Sequence, residues 1–393
     1  MNPEDGNGLS LASRTERVSR SPIREMFDLA HEYRDQDLVH MEIGEPDFDT
    51  PDHIIDAAVE ATQNGATHYT SSTGISELRN AIADDLDYEY DPDSEIIVTA
   101  GAVEALALAC ITVADPSDEV IVPTPAWPNY QIQGIMTDAN VVNVPLCEEE
   151  GFALDTELLV DQMSDETAAI LLTSPSNPTG QILDPSATAE IVEAAAEHDA
   201  YVIADEVYKD IVYDQQFQSV ASNTAHPEHV ITVGSCSKTY SMTGWRVGWF
   251  AANERVADAA LEFHESIVTC APAPSQQAAV EALTGDQEPI QSMLSAFDDR
   301  REYVVNRVED LPGISCPEPD GAFYAFLDCS ELGVESTTIA RELLEEHGVV
   351  VVPGVGFGDT LDEYIRISFA NSLDRLELGF DRIEEYVELN GSV

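Results

Sequence analysis

The sequence predicts an α/β protein in which a mostly parallel β-sheet is flanked by helices and followed by a smaller α+β domain. Between about residues 50 and 285 the chain repeats a short apolar run, a turn and a stretch of helical periodicity. The apolar runs are bounded by turn residues, as is typical of strands that are buried on both faces. The expected strands are Glu95–Thr99, Glu119–Pro123, Ala168–Thr173, Tyr201–Ala204, Val230–Val233 and Trp245–Ala251.

The last third of the chain has a different order of elements, which predicts the smaller domain. A helical stretch from about Gln287 to Asp310 precedes strand-like Ala322–Leu327, a helix from about Thr337 to Glu346 and strand-like Tyr364–Ser368. The N-terminal stretch up to Ile43 has no sheet pattern of its own, so we expect it to pack with this smaller domain. The predicted division is an N-terminal segment, a large domain and a small C-terminal domain, at residues 1–49, 50–285 and 286–393.

The charge balance excludes two classes of partner. Seventy-five acidic residues against 17 Lys and Arg give a formal net charge of -58, so we expect neither nucleic acid nor a membrane surface as a partner. Lysine is nearly absent, with only Lys209 and Lys238. Such compositions resemble those of cytoplasmic proteins from salt-accumulating halophiles, where a Debye length of about 3 Å at molar salt screens self-repulsion. Origin in a halophile is therefore expected.

Neither the N-terminal stretch nor the cysteines indicate export or metal binding. The first residues lack the apolar segment of a signal peptide, and no apolar run approaches the roughly 20 residues that span a bilayer. The six cysteines form no CxxC pair and have no metal-type histidine spacing around them. These features predict a cytoplasmic protein with reduced cysteines and no metal site.

The two lysines lie in very different contexts. Lys209 is in the segment VYKDIVYD, at an expected strand edge without phosphate-binding neighbours. Lys238 is in GSCSKTYSMTGWRVGW, a loop between two expected strands that also contains two serines and Arg246. Because the chain contains only one other lysine, the presence of Lys238 in this loop predicts that an amine is needed there for covalent chemistry.

The segment SCSKTYSMTGWRVG around Lys238 resembles the lysine loop of class I aminotransferases, which are fold-type-I pyridoxal-phosphate enzymes. Further motifs follow in the family's order along nearly the whole chain. They are IGEPDFDTP at 43–51, HYTSSTGISELR at 68–79, TAGAVEAL at 99–106, TPAWPNY at 124–130, TSPSNPTG at 173–180, ADEVY at 204–208, PDGAFY at 319–324 and YIRISFA at 364–370.

The resemblance implies the fold-type-I transferase fold, with pyridoxal 5'-phosphate bound covalently to Lys238. It also implies ping-pong transfer of an amino group between an L-amino acid and a 2-oxoacid, for which 2-oxoglutarate is expected. Lys238 is then the catalytic base, because the amine released when substrate binds can move the substrate's Cα proton.

The motifs also contain the groups that would bind the cofactor's phosphate. Gly101 ends an expected strand before a helix, so the amides of Ala102 and Val103 can point at an anion at the helix N-terminus. The side chains expected to add donors are those of Ser235, Ser237 and Arg246. In the family, the tyrosine that matches Tyr69 reaches the phosphate of the neighbouring subunit. This match implies a homodimer with active sites at the interface.

Four residues match the family's contacts to the cofactor ring. Asp205, at the end of the expected strand YVIAD, matches the carboxylate that favours protonation of the pyridine nitrogen. Tyr208 and Asn177 match the groups that hydrogen-bond the ring's phenolic oxygen. Trp127 matches the aromatic side chain that stacks on the ring, although by itself Trp127 would be interpreted as a core residue. The resemblance also implies a cis peptide at Asn177–Pro178.

The substrate's α-carboxylate would be bound by Arg366. This arginine lies inside the apolar strand YIRISFA, where an unpaired charge is costly unless it meets an anion. The alternative is an ion pair with an internal acid. Gly44 matches a backbone position that approaches the same carboxylate, and the resemblance gives Trp127 and Asn177 a role in substrate binding as well.

The amino-acid side chain accepted by the site is a separate question. Aspartate-preferring relatives commonly place a lysine where this chain has Val103, so we expect neutral, apolar or aromatic amino acids to react better than aspartate. Glutamate could be accepted if its longer chain meets an arginine such as Arg24. A C–S β-lyase on the same fold would keep every cofactor contact and is the nearest alternative function. A non-catalytic regulator module is disfavoured because the acidity opposes DNA binding.

Overall fold

The computed structural model describes residues 11–18 and 21–390. Its helices are α1 (Pro22–Glu32), α2 (Asp52–Gln63), α3 (Ser76–Asp85), α4 (Ala102–Val113), α5 (Asn129–Met136), α6 (Thr156–Gln162), α7 (Pro185–Glu197), α8 (Glu254–Ile267), α9 (Ala273–Thr284), α10 (Glu288–Asp310), α11 (Ser336–His347) and α12 (Leu373–Asn390). Its strands are β1 (Val39–His40), β2 (Ile96–Thr99), β3 (Glu119–Thr124), β4 (Asn140–Pro145), β5 (Thr167–Thr173), β6 (Tyr201–Asp205), β7 (Val230–Ser235), β8 (Gly248–Ala251), β9 (Tyr324–Asp328), β10 (Val349–Val350), β11 (Val352–Pro353) and β12 (Tyr364–Ser368).

A seven-stranded sheet in the order β2-β8-β7-β6-β5-β3-β4 confirms the α/β prediction. Only β8 runs antiparallel to its neighbours β2 and β7, and every other pairing in this sheet is parallel. The central strands are apolar on both faces. In β5, Ile170 and Leu172 pack into one core cluster, while Ala169 and Leu171 pack into another on the opposite face. Each large aliphatic side chain so buried stabilises the fold by about 1.5–3 kcal/mol, which explains why the strands form continuous apolar runs.

Two parts of the sheet differ from the expectation. Strand β4 was missed because it lies at the sheet edge, where most of its side chains are partly or fully exposed and the apolar signal is weak. Strand β8 begins at Gly248 rather than Trp245, because Thr243–Trp245 form a 3₁₀ turn and Arg246 has a left-handed φ of 55°.

The chain outside the sheet forms a second layered unit. Strands β11, β12 and β9 form an antiparallel sheet, and the side chains of β9 and β12 share a core cluster with α10, α11 and α12. Met26, Val39 and Met41 of the N-terminal stretch belong to the same cluster. The expectation that this stretch lacks a strand is wrong at β1, which pairs in parallel with β10. A two-residue strand is too short to show alternation in sequence.

The division into three segments stays a prediction, since one helix packs into the core clusters of both units. Helix α10 contributes to both units, because Ile290 and Met293 pack into a cluster of the large unit while Phe297 and Val304 pack into that of the smaller one. In the described ranges, no helix combines the length and apolar character needed to cross a bilayer. The same ranges contain no cluster of His, Cys, Asp and Glu arranged to hold a metal ion.

Candidate active site

A cavity of about 250 Å³ lies where β6 and β7 end, facing the smaller unit. Ligands of open α/β sheets bind at this edge because loops and helix N-termini converge there. The cavity is lined by most of the residues predicted from the sequence. They are Gly44, Ala102, Val103, Trp127, Asn177, Asp205, Tyr208, Ser235, Ser237, Lys238, Arg246 and Arg366.

Two predicted residues lie outside the lining, for different reasons. Gly101 precedes α4 with a φ of 90°, and a Cβ added to it would lie 2.6 Å from Nη2 of Arg246, so the turn needs glycine at this position. Tyr69 is 85% exposed and does not line the cavity of its own chain. Within a single chain, Tyr69 therefore does not contribute to the lining of this cavity.

The structure distinguishes the two lysines by their surroundings. Nζ of Lys238 donates a hydrogen bond to the carbonyl of Gly44 at 2.6 Å. Burial, together with the cations Arg366 and Arg246, outweighs nearby carboxylates and lowers the pKa of Lys238 to about 8. A substantial fraction of this amine is therefore neutral, and hence nucleophilic, slightly above neutral pH.

Lys209 has the opposite character. Its Nζ lies 2.9 Å from Asp210 and 3.0 Å from Asp85. Burial opposes protonation of Lys209, but these two carboxylates outweigh it and raise its pKa above the ordinary value. An amine that stays protonated is a poor nucleophile, so Lys209 is suited to an ion pair and Lys238 to covalent chemistry.

Asp205 is a buried carboxyl group at the carboxyl end of β6. Its side chain accepts a hydrogen bond from Oη of Tyr130 at 2.8 Å and a longer one from the amide of Val207 at 3.3 Å. Burial exceeds the effect of these donors and raises the pKa of Asp205 to about 6. A carboxyl group held in this way gains from a cationic partner in the cavity, which is what a protonated pyridine nitrogen would supply.

Aromatic side chains form the walls beside Asp205. The hydroxyls of Tyr208 and Tyr324 lie 2.9 Å apart, and both side chains are buried. Burial, reinforced by Tyr324, raises the pKa of Tyr208 well above its ordinary value, so this hydroxyl remains a hydrogen-bond donor. Trp127 packs edge-to-face on Tyr130, with ring centroids 5.6 Å apart, and keeps one side toward the cavity.

Arg366 is a buried cation without a carboxylate partner among the described residues. It is 2% exposed and donates from Nη1 to Oδ1 of Asn177 at 3.2 Å and from Nη2 to the carbonyl of Glu42. Its guanidinium lies 4.6 Å from the ring centroid of Tyr324, and Nε has no hydrogen-bond partner in the described part of the chain. The alternative of an internal ion pair is thus not observed, and the charge is suited to an anionic ligand.

The substrate end of the cavity also depends on a close backbone approach. A Cβ added to Gly44 would lie 2.6 Å from Oη of Tyr324. Glycine at this position therefore lets the backbone carbonyl reach Lys238 while Tyr324 keeps its contact with Tyr208.

At the opposite end, donors converge as a phosphate requires. Arg246 donates from Nη1 to the carbonyl of Thr243 and from Nη2 to the carbonyl of Ala100, both at 3.0 Å. Ser235 Oγ donates its single proton to the carbonyl of Val247 at 2.8 Å and lies 2.7 Å from Oγ of Ser237, whose own hydroxyl can donate to an anion. With the amides at the N-terminus of α4, these groups form a site for an anion.

The residues of the cavity therefore fit pyridoxal phosphate. One end can hold a phosphate, the middle offers a low-pKa amine and a buried carboxyl group, and the other end holds an unpaired guanidinium. One implied feature is wrong, since the cis peptides of the described chain are Thr124–Pro125 and Ser174–Pro175 and not Asn177–Pro178.

Sequence reasoning missed several residues of the lining. Tyr130 and Tyr324 lie in two motifs already singled out, TPAWPNY and PDGAFY, so a signal for them existed. Glu42, Thr243 and Val207 are neighbours of predicted residues in the sequence, but nothing in the sequence marks their side chains as functional. Ile23, from α1, had no signal because its contribution depends on the packing of the N-terminal stretch.

Similarity to known proteins extends over nearly the whole chain. The model of the family described as aminotransferase class I and II matches residues 36–383. The chain is 37% identical over 383 residues to an aspartate aminotransferase of Pyrococcus horikoshii, covering 96% of this chain and 97% of that protein. It is 35% identical over 387 residues to aromatic-amino-acid aminotransferase 2 of Thermococcus litoralis, covering 97% and 99%. The crystal structure of an aromatic aminotransferase from Pyrococcus horikoshii superposes with a TM-score of 0.91 at 36% identity, covering 98% and 100%.

Proposed function

This chain belongs to the class I and II aminotransferases, and from that premise we propose that it prefers neutral, apolar or aromatic amino acids to aspartate as amino donors. It is a pyridoxal-phosphate-dependent enzyme that transfers an amino group between an L-amino acid and a 2-oxoacid. The acceptor that we propose is 2-oxoglutarate. The preference rests on one observation, namely that each cation lining the cavity already has another proposed role. These cations are Lys238, Arg246 and Arg366.

The roles proposed for the cavity residues follow from their contacts. Arg366 and Asn177 bind the substrate's α-carboxylate, which fixes the Cα–H bond toward Lys238. Lys238 Nζ then accepts the Cα proton and later donates it, which an amine with a pKa near 8 can do near neutral pH. When bound, pyridoxal phosphate supplies a ring that stabilises the negative charge left on Cα. The buried carboxylate of Asp205 would supply the negative charge that favours a protonated ring nitrogen. Trp127 excludes water from one side of the cavity.

The apolar lining beside Val103 explains the expected preference. Val103, on the first turn of α4, lines the cavity together with the apolar surfaces of Trp127 and Ile23. A distal carboxylate entering there would lose hydration that no described cation replaces, which costs several kcal/mol in principle. Glutamate and 2-oxoglutarate differ because their longer chains could reach Arg24 on α1, which lines an adjoining cavity.

Substrate ranking tests this proposal. Assayed with 2-oxoglutarate in molar KCl, phenylalanine and leucine are expected to exceed aspartate in kcat/KM by more than roughly tenfold, or about 1.4 kcal/mol. Alanine and glutamate complete the panel. Val103→Lys should raise kcat/KM for aspartate relative to phenylalanine, while Val103→Met, a matched apolar replacement, should not. If aspartate ranks first in the wild-type enzyme, Val103 does not set the preference and another residue supplies the charge.

We also propose a homodimer with both active sites at its interface. Tyr69 is 85% exposed in its own chain, although the family resemblance gives it a contact with the cofactor's phosphate. Large apolar side chains are exposed at the phosphate end of the cavity, where α4, α5 and α8 meet. They are Val103, Met136 and Ile267, and burial of such a patch favours association.

The composition further supports cytoplasmic function in a salt-accumulating organism. A net charge of -58 repels itself across the surface at low ionic strength, and counterions screen that repulsion. The melting temperature of the holoenzyme is therefore expected to rise between low and molar KCl. Sucrose at equal osmolality is the control, because it carries no charge and should raise the melting temperature less. A melting temperature that stays constant or falls in KCl contradicts the halophile assignment.

A further inference from the structure

A buried histidine and a glutamate connect helix α8 to the turn before helix α4. His264 lies on α8 with no exposed surface, and its Nδ1 is 2.7 Å from Oε1 of Glu104. Because a carboxylate only accepts hydrogen bonds, Nδ1 of His264 must be the donor. Neither residue lines the cavity that contains Lys238, and neither takes part in the chemistry proposed above.

The same glutamate holds the turn that faces the proposed phosphate site. The second carboxylate oxygen of Glu104 accepts a hydrogen bond from the amide of Ala100 at 2.5 Å. The carbonyl of Ala100 in turn accepts from Nη2 of Arg246 at 3.0 Å. A chain of three hydrogen bonds thus runs from His264 through Glu104 and Ala100 to the arginine of the phosphate site.

The position of Glu104 creates a conflict that His264 can resolve. Glu104 lies in the first turn of α4, where the helix dipole and free amides attract any anion. The cofactor's phosphate would use the same helix end, so a mobile carboxylate there would compete with it and repel it. The hydrogen bonds from His264 and from the amide of Ala100 fix both oxygens of this carboxylate, so that it is not free to move onto the other amides of the helix end.

We propose that His264 is a positioning residue that, through Glu104, orients the Ala100–Gly101 turn and Arg246 for the phosphate of the cofactor. This inference rests on the phosphate site assigned under the proposed function. Its consequence is selective, because loss of the histidine should weaken binding of the phosphate group and leave the contacts of the pyridine ring and Lys238 unchanged.

The test compares two cofactor forms that differ only in the phosphate. The dissociation constants of pyridoxal phosphate and of pyridoxal are measured on the cofactor-free protein by absorbance titration. His264→Phe is expected to weaken pyridoxal phosphate roughly 10–100-fold, the loss associated with one hydrogen bond to a charged group, and to leave pyridoxal unchanged. His264→Asn, whose amide can donate near the position of Nδ1, should recover most of that affinity. Inorganic phosphate should compete less well with pyridoxal phosphate in the Phe variant.

A second variant separates the charge of Glu104 from its hydrogen bond. Glu104→Gln keeps an acceptor for the amide of Ala100 but removes the negative charge. Combined with His264→Phe, it should restore part of the lost affinity, since nothing then repels the phosphate. If the double variant binds pyridoxal phosphate no better than His264→Phe alone, the competition between the two anions is not the cause.

The control is His229→Phe. His229 is a partly buried histidine whose Nδ1 lies 2.8 Å from the carbonyl of Ala200, beside the opposite end of β7. The His229→Phe variant should change neither the affinity for pyridoxal phosphate nor that for pyridoxal. Equal weakening of both cofactor forms by His264→Phe would show general damage, and unchanged affinity for pyridoxal phosphate would show a packing role; either result overturns the proposal. If the wild-type protein does not distinguish pyridoxal phosphate from pyridoxal, the phosphate site itself is misassigned.

Discussion

Lys238→Ala is expected to abolish the covalent cofactor adduct and to reduce turnover by about 10²–10⁴-fold or more, the contribution of a positioned acid–base group. The purified wild-type protein should be yellow and should retain cofactor after borohydride reduction, whereas the variant should release it on denaturation. The adduct is lost because alanine has no amine. Lys238 is the expected site because burial, together with two neighbouring arginines, lowers the pKa of its amine. Mass spectrometry of the reduced protein is the measurement.

The matched control is Lys209→Arg. Arginine preserves the charge that pairs with Asp85 and Asp210, so the fold and the adduct should both persist. If Lys238→Ala keeps the adduct and the Lys209 variant loses it, the assignment of the two lysines is reversed.

Adduct formation by the cofactor-free wild type should accelerate as pH rises through about 8, because only the neutral amine attacks and deprotonation increases with pH.

Asp205→Asn is expected to retain the cofactor but to slow removal of the Cα proton by about 10²–10³-fold, the usual cost of losing one electrostatic contact in a transition state. The amide can still accept the hydrogen bond from Tyr130 but carries no charge to stabilise a protonated ring nitrogen. Single-turnover kinetics with substrate deuterated at Cα report this step directly, while absorbance reports cofactor retention.

Tyr130→Phe provides the comparison. It removes the 2.8 Å hydrogen bond to Asp205 but leaves the carboxylate, so the expected loss is about tenfold or less. An Asp205→Asn enzyme with near-wild-type turnover would mean that Asp205 is only a structural residue at the end of β6. A Tyr130→Phe loss as large as that of Asp205→Asn would mean that orientation, and not charge, is what Asp205 contributes.

Local patterns in the sequence were sufficient for much of the fold. Strands β3, β5, β6 and β7 could be predicted because burial on both faces requires continuous apolar runs, which are visible without tertiary contacts. The edge strand β4 and the two-residue strands were not visible, since pairing with a neighbour, and not composition, makes them strands. Arg366 could be identified as unusual because a charge inside an apolar strand needs a partner wherever that strand lies.

The sequence by itself determined the fold class, the family resemblance and the choice of Lys238, because these depend on residue order and on the rarity of lysine. Only the tertiary structure decided which side chains of the site contact one another. Tyr130 meets Asp205 across 75 positions, Tyr208 meets Tyr324 across 116, and His264 meets Glu104 across 160. Such contacts form when separate elements pack together, and burial then sets the pKa values of Lys238 and Asp205. No local pattern encodes them, since both the neighbours and the exclusion of water arise only in the folded chain.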